Sequence, residues 1–366
     1  MLYVNYVTFG GIEKCRLMSI IKIKEKQSMK KLIAAILMVC MVLSLCVFAN
    51  AEAEYKLGLG VSLNMNSSKS ELAQVDATLA GVVLDAEGKI VACRIDCVQD
   101  KMDIVDGEVD TAKEFKTKME LGDDYNMVKF SAPGACIAEW YDQAKAFEAY
   151  VVGMTGDEVA AIETVLNEEG HNVATDEALL AGCTISIADF KEAVVKACAD
   201  EQGTTFTTDG EFTLGVAANS TADESVAATD DEDGVVKMYS EYAAVVVDGN
   251  GVVLAALTDA TQPQITIDVD GEIVETKFAG TKRELKEDYN MVKFSAPGAC
   301  IAEWYIQAKA FTDFVVGMTS ADILAMETVL NEEGHQVSTD ETLFASCTIS
   351  IGGFQAVLAK AADNAR

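Results

Sequence analysis

Residues 124–141 read DYNMVKFSAPGACIAEWY, and residues 288–305 read the same, letter for letter. The offset is 164 residues, and the register continues on both sides. Val151-Val152-Gly153-Met154-Thr155 answers Val315-Val316-Gly317-Met318-Thr319. Thr164-Val165-Leu166-Asn167-Glu168-Glu169-Gly170-His171 recurs as Thr328 to His335, and Cys183-Thr184-Ile185-Ser186-Ile187 recurs as Cys347 to Ile351. A period this long means tandem domains, since solenoid repeats run about 20–50 residues. The chain is therefore read as copy one (52–200), a linker (201–210) and copy two (211–366). The linker is Gly/Thr-rich and lacks apolar periodicity.

Upstream of the identical stretch the letters diverge while the pattern persists. Leu84-Asp85-Ala86-Glu87-Gly88-Lys89-Ile90-Val91 matches Val247-Asp248-Gly249-Asn250-Gly251-Val252-Val253-Leu254. Each is an apolar run, a turn opening with Asp and closing with Gly, and a second apolar run, which is a hairpin signal. Asp106-Gly107 and Asp270-Gly271 mark the next hairpin. Downstream, Ile137, Trp140, Tyr141, Ala144, Phe147 and Val151 recur at three and four, one face of a helix for which Pro133 is a natural start. Thr155-x-x-Glu158 is a capping box that opens a second helix through Val159, Ile162 and Leu166. A short β-like element over Cys183–Ile185 precedes a third helix, capped by Ser186, whose buried stripe is Phe190, Val194 and Ala197. The predicted class is α+β: in each copy an antiparallel β meander, then helices packed on it.

The N-terminus carries an export signal in its pattern. Met29-Lys30-Lys31 opens a basic segment, an apolar run follows to Ala49, and Ala49-Asn50-Ala51 is a small-x-small cleavage site. That order is a secretory signal peptide, expected over 29–51. Residues 1–28 fit no part of one and read as an overlong upstream extension. A membrane anchor is the alternative, since 18 apolar residues sit at the short end of the ~17–25 that span a bilayer. The Ala-x-Ala site favours cleavage, and so a secreted or cell-envelope protein with no stable membrane span. Residues 1–51 hold seven Lys/Arg and two acids, so their removal leaves 21 basic against 57 acidic residues, a net charge near −36. Such a field repels nucleic acid and anionic lipid.

Of ten cysteines, Cys15, Cys40 and Cys46 lie before the cleavage site. Cys136 and Cys183 have partners in Cys300 and Cys347; Cys93, Cys97 and Cys198 do not. A bridge within each copy and small buried thiols are both open, with the thiols preferred. His171 and His335 follow Glu-Glu-Gly, and with no second His or paired Cys a surface loop is the better reading than a metal site. The acidic run Asp230-Asp231-Glu232-Asp233 reads as a solvated loop rather than a calcium site. No hydrolase triad spacing, Walker loop or His-Glu-x-x-His is present. Trp140 and Trp304 fall on the apolar helix face, where core packing is the default.

Ala181-Gly182-Cys183-Thr184-Ile185-Ser186, ahead of an amphipathic helix, resembles the FMN-binding domain family. There an Asp-x-x-Ser-Gly-Ala-Thr-x-Thr-like stretch precedes the last helix, and a threonine can carry FMN through a phosphoester. Thr184 and Thr348 stand at that threonine. Leu121-Gly122-Asp123 and Glu139-Trp140-Tyr141 are similar to the family's Leu-Gly segment and aromatic-rich helix. The resemblance implies FMN on Thr184, backbone access at Gly182, ring contacts from Trp140 or Tyr125, a second site at Thr348, and electron transfer with an unknown redox or envelope partner. Its departures are Ala178 at the leading Asp, Cys183 for Ala, Ser346 for Gly and Leu285-Lys286-Glu287 for Leu-Gly-Asp. A non-catalytic envelope binding or structural module is the alternative. The physical case for the flavin is that small residues admit a phosphate and the following helix start attracts its charge.

Overall fold

The computed structural model describes residues 53–131, 136–168, 170–295 and 300–366. The upstream extension, the signal peptide and Pro133 lie outside the described residues. Among the described residues no helix is long and apolar enough to cross a membrane.

Copy one opens with the meander β1 (Ala53–Asn64), β2 (Leu72–Leu84), β3 (Ile90–Val105) and β4 (Glu108–Val109). The Asp85 carboxylate accepts from the Glu87 and Lys89 amides, and Gly88 closes the first turn at φ +76°. Asp106 and Gly107 both take positive φ, the two-residue turn that matches strand twist. Six short helices and one further hairpin follow. They are α1 (Lys118–Leu121), α2 (Met127–Phe130), α3 (Trp140–Val151), α4 (Gly156–Ala160), β5 (Thr164–Leu166), β6 (Asn172–Ala174), α5 (Glu177–Leu180) and α6 (Ala188–Cys198).

Copy two has a similar order, with six strands before its helices in place of four. Its strands are β8 (Phe212–Thr221), β9 (Gly234–Lys237), β10 (Tyr239–Asp248), β11 (Val253–Thr261), β12 (Gln264–Ile267) and β13 (Ile273–Lys277). Then come α7 (Lys282–Leu285), α8 (Met291–Phe294), α9 (Trp304–Phe314), α10 (Ser320–Leu324), β14 (Thr328–Leu330), β15 (Gln336–Ser338), α11 (Glu341–Phe344) and α12 (Gly352–Asp363). The mixed α+β class with antiparallel sheets is as the pattern implied.

Four local expectations are corrected. The helix expected from Ile137 starts at Trp140, leaving Ile137 exposed. The Thr155–Glu158 capping box forms, but α4 stops at Ala160 and Leu166 sits exposed in β5. The third helix has Ile187 at its N-cap, with no side-chain cap from Ser186, and Cys183–Ile185 pairs with no strand. Within the expected linker, Thr204–Thr208 form β7, which pairs antiparallel with β1 at the sheet edge.

The sheet β4-β3-β2-β1-β7 lays one face on the sheet β11-β10-β8. Leu57, Leu59, Val61, Leu79 and Val83 meet Leu214, Val216, Tyr242, Val246 and Leu257 in one apolar core. The outer face of the first sheet carries α3 and α6 through Val82, Ile95, Phe147 and Phe190. The outer face of the second carries α9 and α12 through Val245, Phe311 and Phe354. The layers run helix, sheet, sheet, helix. Strands covered on both sides explain why β2 is buried almost without alternation. Each buried Leu or Val contributes about 1.5–3 kcal/mol, so the seam between copies is a major part of the core.

The contacts across the seam are reciprocal. Lys196 pairs with Glu284 at 3.0 Å, and Lys360, its equivalent, pairs with Glu120, the equivalent of Glu284, at 2.7 Å. Residue i touching j while j′ touches i′ is the signature of a twofold arrangement, here within one chain.

Candidate functional site

The threonines of the flavin-like motif are built into a hydrogen-bonded junction. On α3, Gln143 is fully buried, and its Oε1 accepts from the Thr184 amide at 2.8 Å and the Thr184 hydroxyl at 3.2 Å. Its Nε2 donates to the Ala138 carbonyl at 2.7 Å and meets Cys136 Sγ at 3.1 Å. Copy two repeats the set: Gln307 Oε1 accepts from Thr348 at 2.8 and 3.2 Å, and Nε2 reaches Ala302 and Cys300. A buried amide must satisfy both ends, and these two glutamines do so by tying the turn before the last helix to the loop before α3. All seven described cysteines are free thiols, so no Cys136–Cys183 bridge forms.

Gly182 is small for a packing reason. A Cβ there would come 2.8 Å from Ala146 Cβ on α3. The start of α6 has no side-chain cap, which suits an anion, but Asp189 in its first turn opposes one. A phosphoester on Thr184 requires its hydroxyl to leave Gln143. Two clefts, of about 460 and 560 Å3, are lined by neither threonine. As they stand, these residues do not fit an attached FMN.

Tyr125 and Trp140 are brought together, around a lysine that the sequence reading passed over. Lys118 Nζ lies 5.0 Å from the Tyr125 ring centre and 5.5 Å from that of Trp140. Trp140 is otherwise buried edge-on to Phe190. In copy two, Lys282 Nζ is ringed by Tyr239, Tyr289 and Trp304 at 4.7, 4.8 and 5.3 Å. The rings thus face a cation of their own chain. Burial pulls Lys282 down to about 8 despite Glu241 and Asp259 nearby. Around Lys118, burial is outweighed by Cys97, Tyr125 and Asp76, and its pKa is raised. Asp76 stands where copy two has Tyr239. A signal was present: both lysines follow the capping threonines of Thr117-x-x-Glu120 and Thr281-x-x-Glu284.

His171 and His335 lie in exposed turns, each amide bonded to the side chain of Asn167 or Asn331. Among the described residues, no group of three or more His, Cys, Asp or Glu side chains could hold a metal ion.

The identical stretch has a face that packing does not explain. Asn126, at φ +56°, turns the chain into α2, and Glu139 caps that helix by accepting from the Met127 and Val128 amides at 2.7 and 3.2 Å. Asn290 and Glu303 repeat the device. The device holds Phe130 outward at 78% exposure and Phe294 at 77%. Val128, Ile137, Val292 and Ile301 are exposed as well. The seam has diverged, with Leu79 where copy two has Tyr242, while the core under the helices keeps Trp140, Phe147 and Phe190 as Trp304, Phe311 and Phe354. No family model, curated protein or solved structure matches the chain.

Proposed function

We propose that this chain is an exported, cofactor-free binding module that presents two equal faces, one per copy, to a partner in the cell envelope. The observation that carries the reading is the letter-for-letter identity of 124–141 and 288–305, with Val128, Phe130 and Ile137 exposed in one and Val292, Phe294 and Ile301 in the other. Trp140, Phe147 and Phe190 are likewise kept as Trp304, Phe311 and Phe354, but their burial in close packing accounts for that. Exposed apolar groups that stay identical are explained by something they touch. Asp123, Asp124 and Glu139, with Glu287, Asp288 and Glu303 in copy two, lie beside this face in sequence, so the fitting partner is a protein surface with apolar groups and positive charge. Two equal faces on one body bind a repeated partner with avidity well beyond either alone.

The test is where the exported protein resides. Wild type is expected in the envelope fraction, Phe130→Ser or Phe294→Ser alone reduces retention, and the double variant is released into the medium. Thermal stability should stay within about 0.5 kcal/mol of wild type, because the side chains are exposed. A double variant that partitions like wild type overturns the proposal.

A flavin-carrying electron-transfer module, with FMN on Thr184, is the second reading. The uncapped start of α6 and the partial exposure of Thr184 favour it. It stands behind the first because the Thr184 hydroxyl, Gly182 and the Trp140 ring are already occupied in packing and hydrogen bonds.

A further inference from the structure

One sheet edge in copy two is open. The sheet runs β13-β12-β9. At its β9 edge the chain covers itself, because Val226 and Val235 exchange amide hydrogen bonds at 2.8 Å. At the other edge, among the described residues, β13 pairs only with β12, and Val274, Glu275, Thr276 and Lys277 are all exposed. The strand is nevertheless held in place. Ile265 and Ile267 of β12 are buried with Met102 and Ile104 of copy one, and at the hairpin tip the Glu71 amide donates to the Gly271 carbonyl at 2.9 Å. Copy one closes the corresponding edge. Its β4 stops after Val109, where the Asp110 carboxylate accepts from the Ala112 amide at 3.1 Å and turns the chain away. Copy two has Val274 at that place and continues as strand. An open row of backbone donors and acceptors is a template for another strand.

We propose that β13 pairs antiparallel with β13 of a second copy of this chain, about a twofold axis through Thr276. The strand's own charges select that partner and that register. Glu275 and Lys277 flank Thr276 on one face of the strand and already meet at 2.6 Å. Centred on Thr276, the pairing sets Glu275 of each chain opposite Lys277 of the other, and Thr276 opposite itself. A centre on Glu275 or on Lys277 sets like charges face to face, which destabilises a ladder. A centre between two residues leaves each charge opposite an uncharged side chain. The chain as a whole is strongly acidic and repels its own kind, so complementary charges at the contact are what let two copies meet here. Val274, 55% exposed, comes near Phe278 of the other chain at each end. A cleft of about 560 Å3 along this edge, lined by Gln264, Thr276, Lys277 and Phe278, gives room for the incoming side chains. Such a contact is self-complementary and closes as a dimer, joining two three-stranded sheets into one of six. A bulge at Val274 keeps the ladder short, so the dimer forms and parts with concentration.

The experiment follows the mass of the whole exported chain by sedimentation equilibrium over a concentration series, in moderate salt that screens the net repulsion. A monomer–dimer equilibrium is expected for wild type. Lys277→Glu turns two attractive pairs into two repulsive ones and should weaken dimerisation about tenfold or more. Lys89→Glu, an equal change of net charge in an exposed turn of copy one, should leave it within about twofold. Glu275→Lys combined with Lys277→Glu exchanges the charges in place and should restore the wild-type affinity. Thr276→Cys sets two thiols opposite each other, so glutathione disulfide should link this variant, and not wild type, into a covalent dimer. That cross-link decides the matter if a charge variant does not fold. A wild type that stays monomeric at every concentration, its edge left to solvent or to another partner, overturns the proposal. So does a dimer that survives Lys277→Glu, a double variant no tighter than Lys277→Glu alone, or a folded Thr276→Cys that does not cross-link. The envelope-retention assay rests on Phe130 and Phe294, so either idea can fail alone.

Discussion

Asp100 lies fully buried on β3, opposite Val75, between the two sheets. The Ser220 and Ser240 hydroxyls approach it closely enough to favour its charge, yet they bond to each other at 2.9 Å and neither completes a hydrogen bond to its oxygens. Burial dominates, Asp76 adds to it, and the carboxyl is pushed up to about 7. A raised carboxyl binds more protons when folded than unfolded. The stability it allows is complete below its unfolded value near 4 and is lost as pH rises through about 7. Asp100→Asn should therefore match wild type near pH 4 and be more stable at pH 8, by up to about 4 kcal/mol. Denaturant midpoints at the two pH values check this. Asp96 and Asp259, each raised to about 6 by burial, keep a slope of the same sign in both proteins. An advantage at pH 4 as large as at pH 8 would contradict the assignment. None of this was legible beforehand. An Asp in an apolar strand reads the same whether it meets water or a second sheet. Gln143 was equally hidden, one amide on a helix face otherwise sorted by hydrophobicity.

The strand-and-helix scale was the most legible. Asp and Gly at fixed offsets encode a turn through local hydrogen bonds and positive φ, so the hairpins were readable without tertiary knowledge. The capping box at Thr155 was readable for the same reason. Lengths were not. Periodicity continued through Ile162 and Leu166, but α4 ends at Ala160 and Thr164–Leu166 pair with β6. Short elements depend on what covers them. The glycines of β1 show such dependence. A Cβ on Gly60 would sit against the Ala193 carbonyl oxygen and the Ala197 amide of α6. Gly60→Ala should lift that helix and cost about 1–3 kcal/mol, lowering Tm by roughly 2–10 °C. Gly249→Ala, with nothing within 4 Å of its added carbon, is the comparison and should leave Tm nearly unchanged. Equal melting of the two variants would contradict the packing of α6 on β1.

At the scale of the whole molecule, the duplication was legible and its use was not. The repeat predicts two copies, but sequence does not say which faces meet. The alternation Leu57-Gly58-Leu59-Gly60-Val61 shows a strand with a large and a small face. That the large face meets a second sheet, and the small one a helix, depends on residues some 130 to 200 positions away. The same packing lines a cleft at the seam with residues from both copies and binds Thr184 and Thr348 into hydrogen bonds within their own copies. The flavin-like motif was read from short-range letters alone, and Gln143, 41 positions from Thr184, supplies the contact that changes its meaning.

We propose that Thr184 and Thr348, held by Gln143 and Gln307, serve the fold and carry no cofactor. This is tested most directly by the visible absorption spectrum and intact mass of the protein purified from its own host. A colourless protein at the mass of the processed polypeptide is predicted. A flavin absorption band, with added FMN mass that disappears in Thr184→Ala, would contradict it.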